Sequence, residues 1–136
     1  MSAEDRPFIV VNPSSAAGRV SREWRFIEKT LKEHLGEFEF QFTKGPEDVI
    51  SITRSALQSG HRRIASLGGD GTHGMVVNGL FKQGCLIAED LVYSVLPFGT
   101  GGDLRRTLDV EKDSLSAYAR SMAEGRTERV DVGQVQ

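Results

Sequence analysis

The sequence predicts a three-layer α/β domain built on a mostly parallel sheet. Short apolar or alternating runs, which are typical of strands, are interleaved along the chain with helical segments. Strands that alternate with helices are joined by right-handed crossovers, so the strands lie parallel and the helices cover the sheet. The 136 residues are the size of one domain, and no linker, repeat or low-complexity segment divides them.

Each element is predicted from a local pattern. Residues 21–36 form a helix because apolar residues recur there every three or four positions, with Ser21 as a candidate N-cap and Gly36 as the end. The other predicted helices are 45–60, 72–84 and 111–125. The predicted strands are 7–12, 38–43, 62–69, 91–99 and 126–135.

Composition narrows the class of protein. A net charge of −2 provides no general attraction to nucleic acid, so any phosphate binding must be local. Cys85 is the only cysteine, which excludes an intrachain disulfide and fits a reducing compartment. No apolar run approaches the roughly 20 residues that span a bilayer, and the polar N-terminus is unlike a secretory signal. We therefore expect a cytoplasmic protein with no nucleic-acid partner and no transmembrane segment.

Three glycine-bearing loops, at residues 12–18, 68–72 and 97–103, follow predicted strands. Parallel α/β sheets bind ligands beyond the carboxyl ends of their strands, so the loops are expected at one ligand-binding edge. In the first loop, Ser14, Ser15 and backbone N–H groups could surround a phosphate, with Arg19 adding charge. The alternative is an Asn-Pro turn with a serine cap.

The second loop, "GGDGT", places a carboxylate among glycines. Gly68 and Gly69 allow positive φ and a close approach of ligand to backbone, while Asp70 or Thr72 could cap the following helix. A carboxylate beside a phosphate is repelled unless a divalent metal or a hydroxyl to be deprotonated lies between them. The alternative is a tight turn with an aspartate cap.

The third loop, "LPFGTGGDLRR", repeats this arrangement of glycines and aspartate. Thr100 and nearby amides could bind phosphate oxygens, and Asp103 could hold water or metal. The alternative is that Asp103 caps a short helix whose arginines are solvated.

Together, "NPSSAAGR", "GGDGT" and "PFGTGGDLRR" resemble the catalytic N-terminal domain of the diacylglycerol kinase family of lipid kinases, which is related to the sphingosine, ceramide and NAD kinases. The resemblance runs from about Pro7 to Gly133. "GGDGT" alone does not separate lipid kinases from NAD kinases, whereas the first and third loops favour a lipid kinase. An NAD kinase-like enzyme and a non-catalytic nucleotide-binding module remain alternatives.

The resemblance implies a Rossmann-like fold of the NAD kinase and diacylglycerol kinase type, with ATP and Mg²⁺ as cofactors and a lipid hydroxyl as acceptor at a membrane surface. It implies catalytic roles for Asp70 and Asp103 and assigns no metal ligand firmly within this chain. The expected nucleotide-binding residues are Asn12, Pro13, Ser14, Ser15, Ala16, Arg19, Thr43, Gly68, Gly69, Asp70, Gly71, Thr72, His73, Gly74 and Thr100.

Some positions depart from the family pattern. Gly74 and Met75 replace an asparagine and a glutamate, Gly102 replaces an asparagine, and Ala16 and Ala17 stand where glycine is usual. His73 could partly stand in as a polar group, or it could be a solvent-exposed or capping histidine.

Family members continue into a β-rich second domain. This chain is therefore expected to be the nucleotide-binding half of a two-domain enzyme, with little turnover by itself. An unpaired strand edge could also promote a homodimer.

Overall fold

The computed structural model describes residues 3–98 and 115–125 and confirms an α/β fold with a parallel sheet. The described strands of the main sheet are β1 (Phe8–Val11), β2 (Glu39–Phe42), β3 (Arg63–Gly68) and, after a small hairpin, β6 (Val92–Pro97). Their spatial order is β2-β1-β3-β6, and each pairing is parallel. The predicted strand at 126–135 lies outside the described residues.

The helices are α1 (Arg19–Arg22), α2 (Trp24–Leu35), α3 (Pro46–Gln58) and α4 (Asp70–Gly79), and residues 115–124 are also helical. No helix among the described residues is long and apolar enough to cross a membrane. The predicted helix at 45–60 is confirmed as α3, with Pro46 in its first turn, where proline lacks only an N–H that needs no partner.

Helices cover both faces of the sheet, which gives the three layers that the sequence predicts. A first core lies on one face and joins Ile9 and Val11 to α2 and to the helical residues 115–124. A second core lies on the opposite face and joins Val10 and Ile64 to α3 and α4. Because side chains alternate along a strand, β1 contributes to both cores.

The first predicted helix begins earlier than expected and is interrupted. Gly18, at φ 83°, is the N-cap of α1, and Ser21 lies inside that helix, so the prediction of a Ser21 cap was wrong. Glu23 then separates α1 from α2 with a non-helical backbone. The helical spacing of the apolar residues continues across this break, which is why the pattern does not reveal it.

The predicted helix at 72–84 was wrong at both ends. It begins at Asp70 and ends at Gly79, and the chain then forms the hairpin β4 (Phe81–Lys82) and β5 (Cys85–Leu86). Gln83 and Gly84 both have positive φ, as a two-residue hairpin turn requires. Cys85 is exposed on this hairpin rather than in a loop.

Candidate functional site

The first and second glycine loops meet at the carboxyl ends of β1 and β3. The backbone N–H of Asn12 donates to the carbonyl of Leu67 at 3.0 Å. The Asn12 side-chain Nδ2 donates to the hydroxyl of Thr72 at 3.1 Å, although 60 residues separate them in sequence. Adjacent parallel strands end at the same edge, and this hydrogen bond fastens one loop to the first turn of α4.

The side chain of Asn12 also shapes its own loop. Its Oδ1 accepts the N–H of Ser14 at 3.1 Å. The main-chain carbonyl of Asn12 accepts the N–H of Ser15 at 3.2 Å. Thr72 is buried. The polar groups of Asn12 and Thr72 are therefore engaged within the protein, and the two side chains hold the site together.

Gly68 lies where these loops approach most closely. Its φ is 156°, and a Cβ added there would stand 2.7 Å from Ser15 Oγ and 3.1 Å from Thr72 Oγ1. Both the backbone and the neighbouring side chains thus favour glycine, and Gly68 uses the positive φ that glycine allows.

At the next three glycines, no contact among the described residues explains why glycine is present. A Cβ at Gly69, Gly71 or Gly74 would meet no atom of residues 3–98 or 115–125 within 4 Å. Gly69 has φ −93° and does not use the positive φ that glycine allows, and Gly71 and Gly74 lie within α4. Glycine inside a helix costs about 0.5–1 kcal/mol relative to alanine. These residues leave open space beside the backbone at the start of α4.

The N-cap of α4 is Gly69, not Asp70 or Thr72, and it supplies no side-chain acceptor. Asp70 is the first helical residue and is exposed. The early N–H groups of a helix lack intrahelical partners and favour a negative charge. The edge therefore has backbone donors with room in front of them and one carboxylate beside them.

Only the start of the third loop belongs to the described residues. Pro97 pairs with Gly68 at the end of the β3–β6 ladder, and the N–H of Phe98 donates to the Gly68 carbonyl at 3.2 Å. The third loop therefore leaves the sheet beside the second. The predicted site residues Thr100 and Asp103 lie outside the described residues.

Arg19 is buried at the start of α1. Its Nε lies 3.1 Å from Glu23 Oε2, and its guanidinium lies 5.3 Å from the centre of the Phe98 ring. This arrangement joins α1 to the start of the third loop. The phosphate-binding role of Arg19 stays a prediction. Thr43 is buried just after β2, and its N–H donates to the Val11 carbonyl at 2.8 Å.

The first loop contains two alanines with left-handed backbone. Ala16 and Ala17 both have φ 56°, a conformation that costs a residue with a Cβ about 1–2 kcal/mol. Glycine is usual at this place in the family that the sequence resembles. With Pro13 and Ser14, these alanines form a tight turn that places Ser15 next to Gly68.

We expect Ala17→Gly to raise the free energy of unfolding by up to about 1 kcal/mol, because relief of the strained φ exceeds the entropy gained by the unfolded chain. Urea unfolding measures this change. The matched control is Ala123→Gly at an exposed position of the helical residues 115–124, where glycine should destabilise by about 1 kcal/mol. Equal losses in both variants would contradict the prediction.

His73 faces inward beneath the first turn of α4. Its Nδ1 lies 2.6 Å from Ser66 Oγ, which in turn lies 2.5 Å from the Tyr93 hydroxyl. Burial lowers the pKa of His73 below its ordinary value of 6.5, while the Gly68 carbonyl and the Asp70 carboxylate partly oppose that change. Burial also raises the pKa of Tyr93. His73 is thus neither a solvent-exposed residue nor a cap.

The lowered pKa of His73 predicts a pH-dependent stability. Below pH 6.5 the unfolded chain binds a proton at this residue more readily than the folded chain does. The neutral His73 side chain therefore stabilises the fold fully above pH 6.5. This stabilisation is lost as the pH falls through the pKa of His73 in the folded chain. We expect the urea midpoint to fall less on acidification in His73→Gln than in the original chain. Identical pH profiles would contradict this, since His34 and His61 are present in both.

The fold and this edge define a class: an α/β domain with an open, glycine-lined edge at the carboxyl ends of its parallel strands. Residues 6–135 match the model of the diacylglycerol kinase catalytic domain, and the chain belongs to that family. The family membership predicted from the three loops is confirmed.

Individual relatives agree with this family. The chain is 34% identical over 130 residues to a diacylglycerol kinase of Staphylococcus epidermidis, covering 96% of this chain and 40% of the relative. It is 28% identical over 130 residues to the diacylglycerol kinase of Staphylococcus carnosus, covering 96% and 41%. A crystal structure of a diacylglycerol kinase from Bacillus anthracis superposes with a TM-score of 0.64 at 23% identity, covering 90% of this chain and 43% of that one. The chain thus spans about two fifths of the length of these bacterial relatives.

Proposed function

We propose that this chain is the nucleotide-binding part of an ATP-dependent lipid kinase that transfers the γ-phosphate of ATP to a lipid hydroxyl. The observation that carries the proposal is the group Gly69, Gly71 and Gly74, whose missing side chains face open space at the start of α4. Neither the backbone conformation nor packing among the described residues requires glycine there. A phosphate chain lying against the backbone does require it, because a Cβ would hold the phosphate away from the N–H groups.

The helix start and its surroundings suit an anion. The unpaired N–H groups of the first turn of α4 would donate to phosphate oxygens, and the helix dipole would add favourable potential. Asn12 and Thr72 would act by holding the first loop against this turn, as their 3.1 Å hydrogen bond shows for the protein itself. Phosphoryl transfer depends mainly on such positioning and on charge neutralisation.

Among the described residues, Asp70 is the carboxylate of the proposed phosphoryl-transfer site. It is exposed and lies on the first turn of α4, and the described residues contain no ion pair to it. We propose that it lies at the reacting phosphate or accepts the proton of the lipid hydroxyl. Mg²⁺, when bound with ATP, would neutralise charge on the phosphates; the described residues contain no cluster of three acidic, histidine or cysteine side chains suited to a metal.

The acceptor would be a diacylglycerol-like or sphingoid lipid met at a membrane surface by a cytoplasmic enzyme, with a homodimer as a further proposal. Because the chain covers about two fifths of its bacterial relatives, we expect little turnover from it alone. Strong phosphorylation of diacylglycerol by this chain would contradict that expectation.

One observation favours a second function, a non-catalytic nucleotide-binding module. Gly74 and Met75 replace the asparagine and glutamate that are usual in the family. The Met75 side chain packs against the second core and supplies no polar group to the edge. An NAD kinase-like enzyme is a weaker alternative, because the first loop has the lipid kinase pattern.

The test is an amide NMR titration of this chain with Mg-ATP, with NAD as the control ligand. We expect shifts at residues 12–19 and 68–74, and none of comparable size with NAD. The shifts should disappear in Gly69→Val, whose larger side chain occupies the open space. The absence of any amide shift at saturating Mg-ATP would count against the proposal. Amide shifts with NAD alone would favour the hypothesis of an NAD kinase-like enzyme.

A further inference from the structure

The strand β2 forms one edge of the main sheet, and among the described residues it pairs only with β1. The N–H groups of Glu39 and Thr43 donate inward, to carbonyls of residues 7–11, at 2.9 and 2.8 Å. Successive residues of a paired strand direct their backbone groups to opposite sides, so the N–H and C=O of Phe40 and Phe42 point away from β1. The described part of the chain supplies no backbone partner for these outward groups.

Aromatic rings cover this edge on the side of α2. The rings of Phe40 and Phe42 lie 4.7 and 5.1 Å from the ring of Trp24, measured between ring centres, and the ring of Phe38 lies 6.1 Å from that of Phe40. The side chain of Phe42 nevertheless remains 39% exposed. Edge strands are commonly protected from further pairing by lysine or proline, and residues 38–42 contain neither. The edge is therefore apolar and unprotected.

The sequence of this edge is nearly self-complementary. Residues 38–42, "FEFQF", read the same in both directions except at Glu39 and Gln41. A second copy that lies antiparallel and is centred on Phe40 therefore puts the two outer phenylalanines opposite each other and sets Glu39 opposite Gln41. Opposite residues of an antiparallel pair lie on the same face, so aromatic rings meet aromatic rings. The Gln41 amide can donate to the Glu39 carboxylate.

The neighbouring two-fold registers are less complementary. They are centred on Glu39 and on Gln41. The former places two glutamates opposite each other, and the latter sets Phe38 opposite Lys44. In the first register no like charges meet. Glu39 also brings no unpaired charge to the edge, because its Oε2 lies 2.5 Å from Nε2 of His61.

We propose that two copies of this chain pair through β2, antiparallel and centred on Phe40, to form one continuous sheet. This inference gives a specific surface to the homodimer proposed above, and it does not rest on the kinase function. Because the two β2 strands run in opposite directions, the glycine-lined edges of the two copies lie at opposite ends of the joined sheet. Pairing over residues 38–42 alone buries little area, so the dimer belongs to the weak, concentration-dependent class.

The first experiment is sedimentation equilibrium of this chain, without nucleotide or lipid, from about 10 μM to about 1 mM protein. A reductant is present because Cys85 is exposed. We expect a reversible equilibrium between monomer and dimer. A chain that is still monomeric at the highest concentration overturns the proposal. That result leaves the kinase function untouched, since the Mg-ATP titration tests it separately.

The second experiment locates the interface by amide hydrogen exchange, measured by NMR at low and high protein concentration. The amides of Phe40 and Phe42 should exchange more slowly as the dimer forms, because each gains a carbonyl partner. The amides of Glu39 and Thr43 already donate within the chain and should show the smaller change. A dimer in which the two phenylalanine amides respond no more than those of Glu39 and Thr43 overturns pairing through β2.

The third experiment tests the register by charge. Gln41→Glu creates two pairs of opposed glutamates in the dimer and should weaken association at least about twofold. The matched control Gln83→Glu adds the same charge to the hairpin turn and should leave association unchanged. Adding Glu39→Gln to Gln41→Glu sets a glutamine opposite each glutamate again, and we expect association to recover. Three results overturn the register: no weakening in Gln41→Glu, an equal weakening in Gln83→Glu, or no recovery in the double variant.

Discussion

Replacing Gly68 with alanine is expected to cost about 2–4 kcal/mol of unfolding free energy and to abolish Mg-ATP binding. The new Cβ would stand 2.7 Å from Ser15 Oγ and 3.3 Å from Asn12 Cβ, on a backbone at φ 156°. The Ser15 hydroxyl would have to rotate away, and Asn12, which its hydrogen bond to Thr72 holds in place, would have to shift by a few tenths of an ångström. Urea unfolding and the NMR titration measure the two effects.

The control for Gly68 is its neighbour. Gly69→Ala places a Cβ at φ −93° where no described atom lies within 4 Å, so it should lose only the preference of an N-cap for glycine over alanine, about 1 kcal/mol or less. Equal losses of stability in the two variants would show that the close contact at Gly68 does not determine its role.

The second large effect is expected at Gly71, where stability and binding should change in opposite directions. Gly71→Ala should raise the free energy of unfolding by about 0.5–1 kcal/mol, because alanine favours the helix and its Cβ meets no atom of the described residues within 4 Å. The same methyl group would displace a phosphate from the backbone, and we expect Mg-ATP affinity to fall at least about tenfold, or about 1.4 kcal/mol. The measurements are urea unfolding and an NMR-detected titration.

A matched control separates the two effects. Ser55→Ala, at an exposed position of α3, should also increase helix stability by a few tenths of a kcal/mol and leave nucleotide binding unchanged. Unaltered affinity in Gly71→Ala would remove the main support for the proposed phosphate position. Reduced affinity in Ser55→Ala would indicate that helix stability itself affects binding.

The sequence predicts the layers of this fold well, because they depend on local patterns. The run from Phe8 to Val11 is apolar on both faces, as a central parallel strand must be, and its residues enter both cores. The hairpin at Phe81–Leu86 was missed since its strands are two residues each, too short to show a period. Its turn residues, Gln83 and Gly84, were the available signal.

Within the candidate site, loop positions could be predicted but individual contacts could not. The glycines identified the edge, and the order of strands and helices placed the first two loops together there. The line from Tyr93 through Ser66 to His73 depends on the register of β3 against β6 and on where α4 begins. Neither can be predicted from a local sequence pattern, and Ser66, a polar residue in a largely apolar strand, was the only sequence signal.

The position of β1 has a consequence for cooperativity. Ile9 and Val11 belong to the first core and Val10 to the second, so neither helical layer can detach without exposing part of the same strand. Trp24 reports on the first layer through its contacts with Phe40 and Phe42, at 4.7 and 5.1 Å between ring centres. Its fluorescence and the helical circular dichroism of the whole chain should therefore follow one denaturation curve. The chain should thus unfold as a single unit, although its apolar side chains form two separate cores.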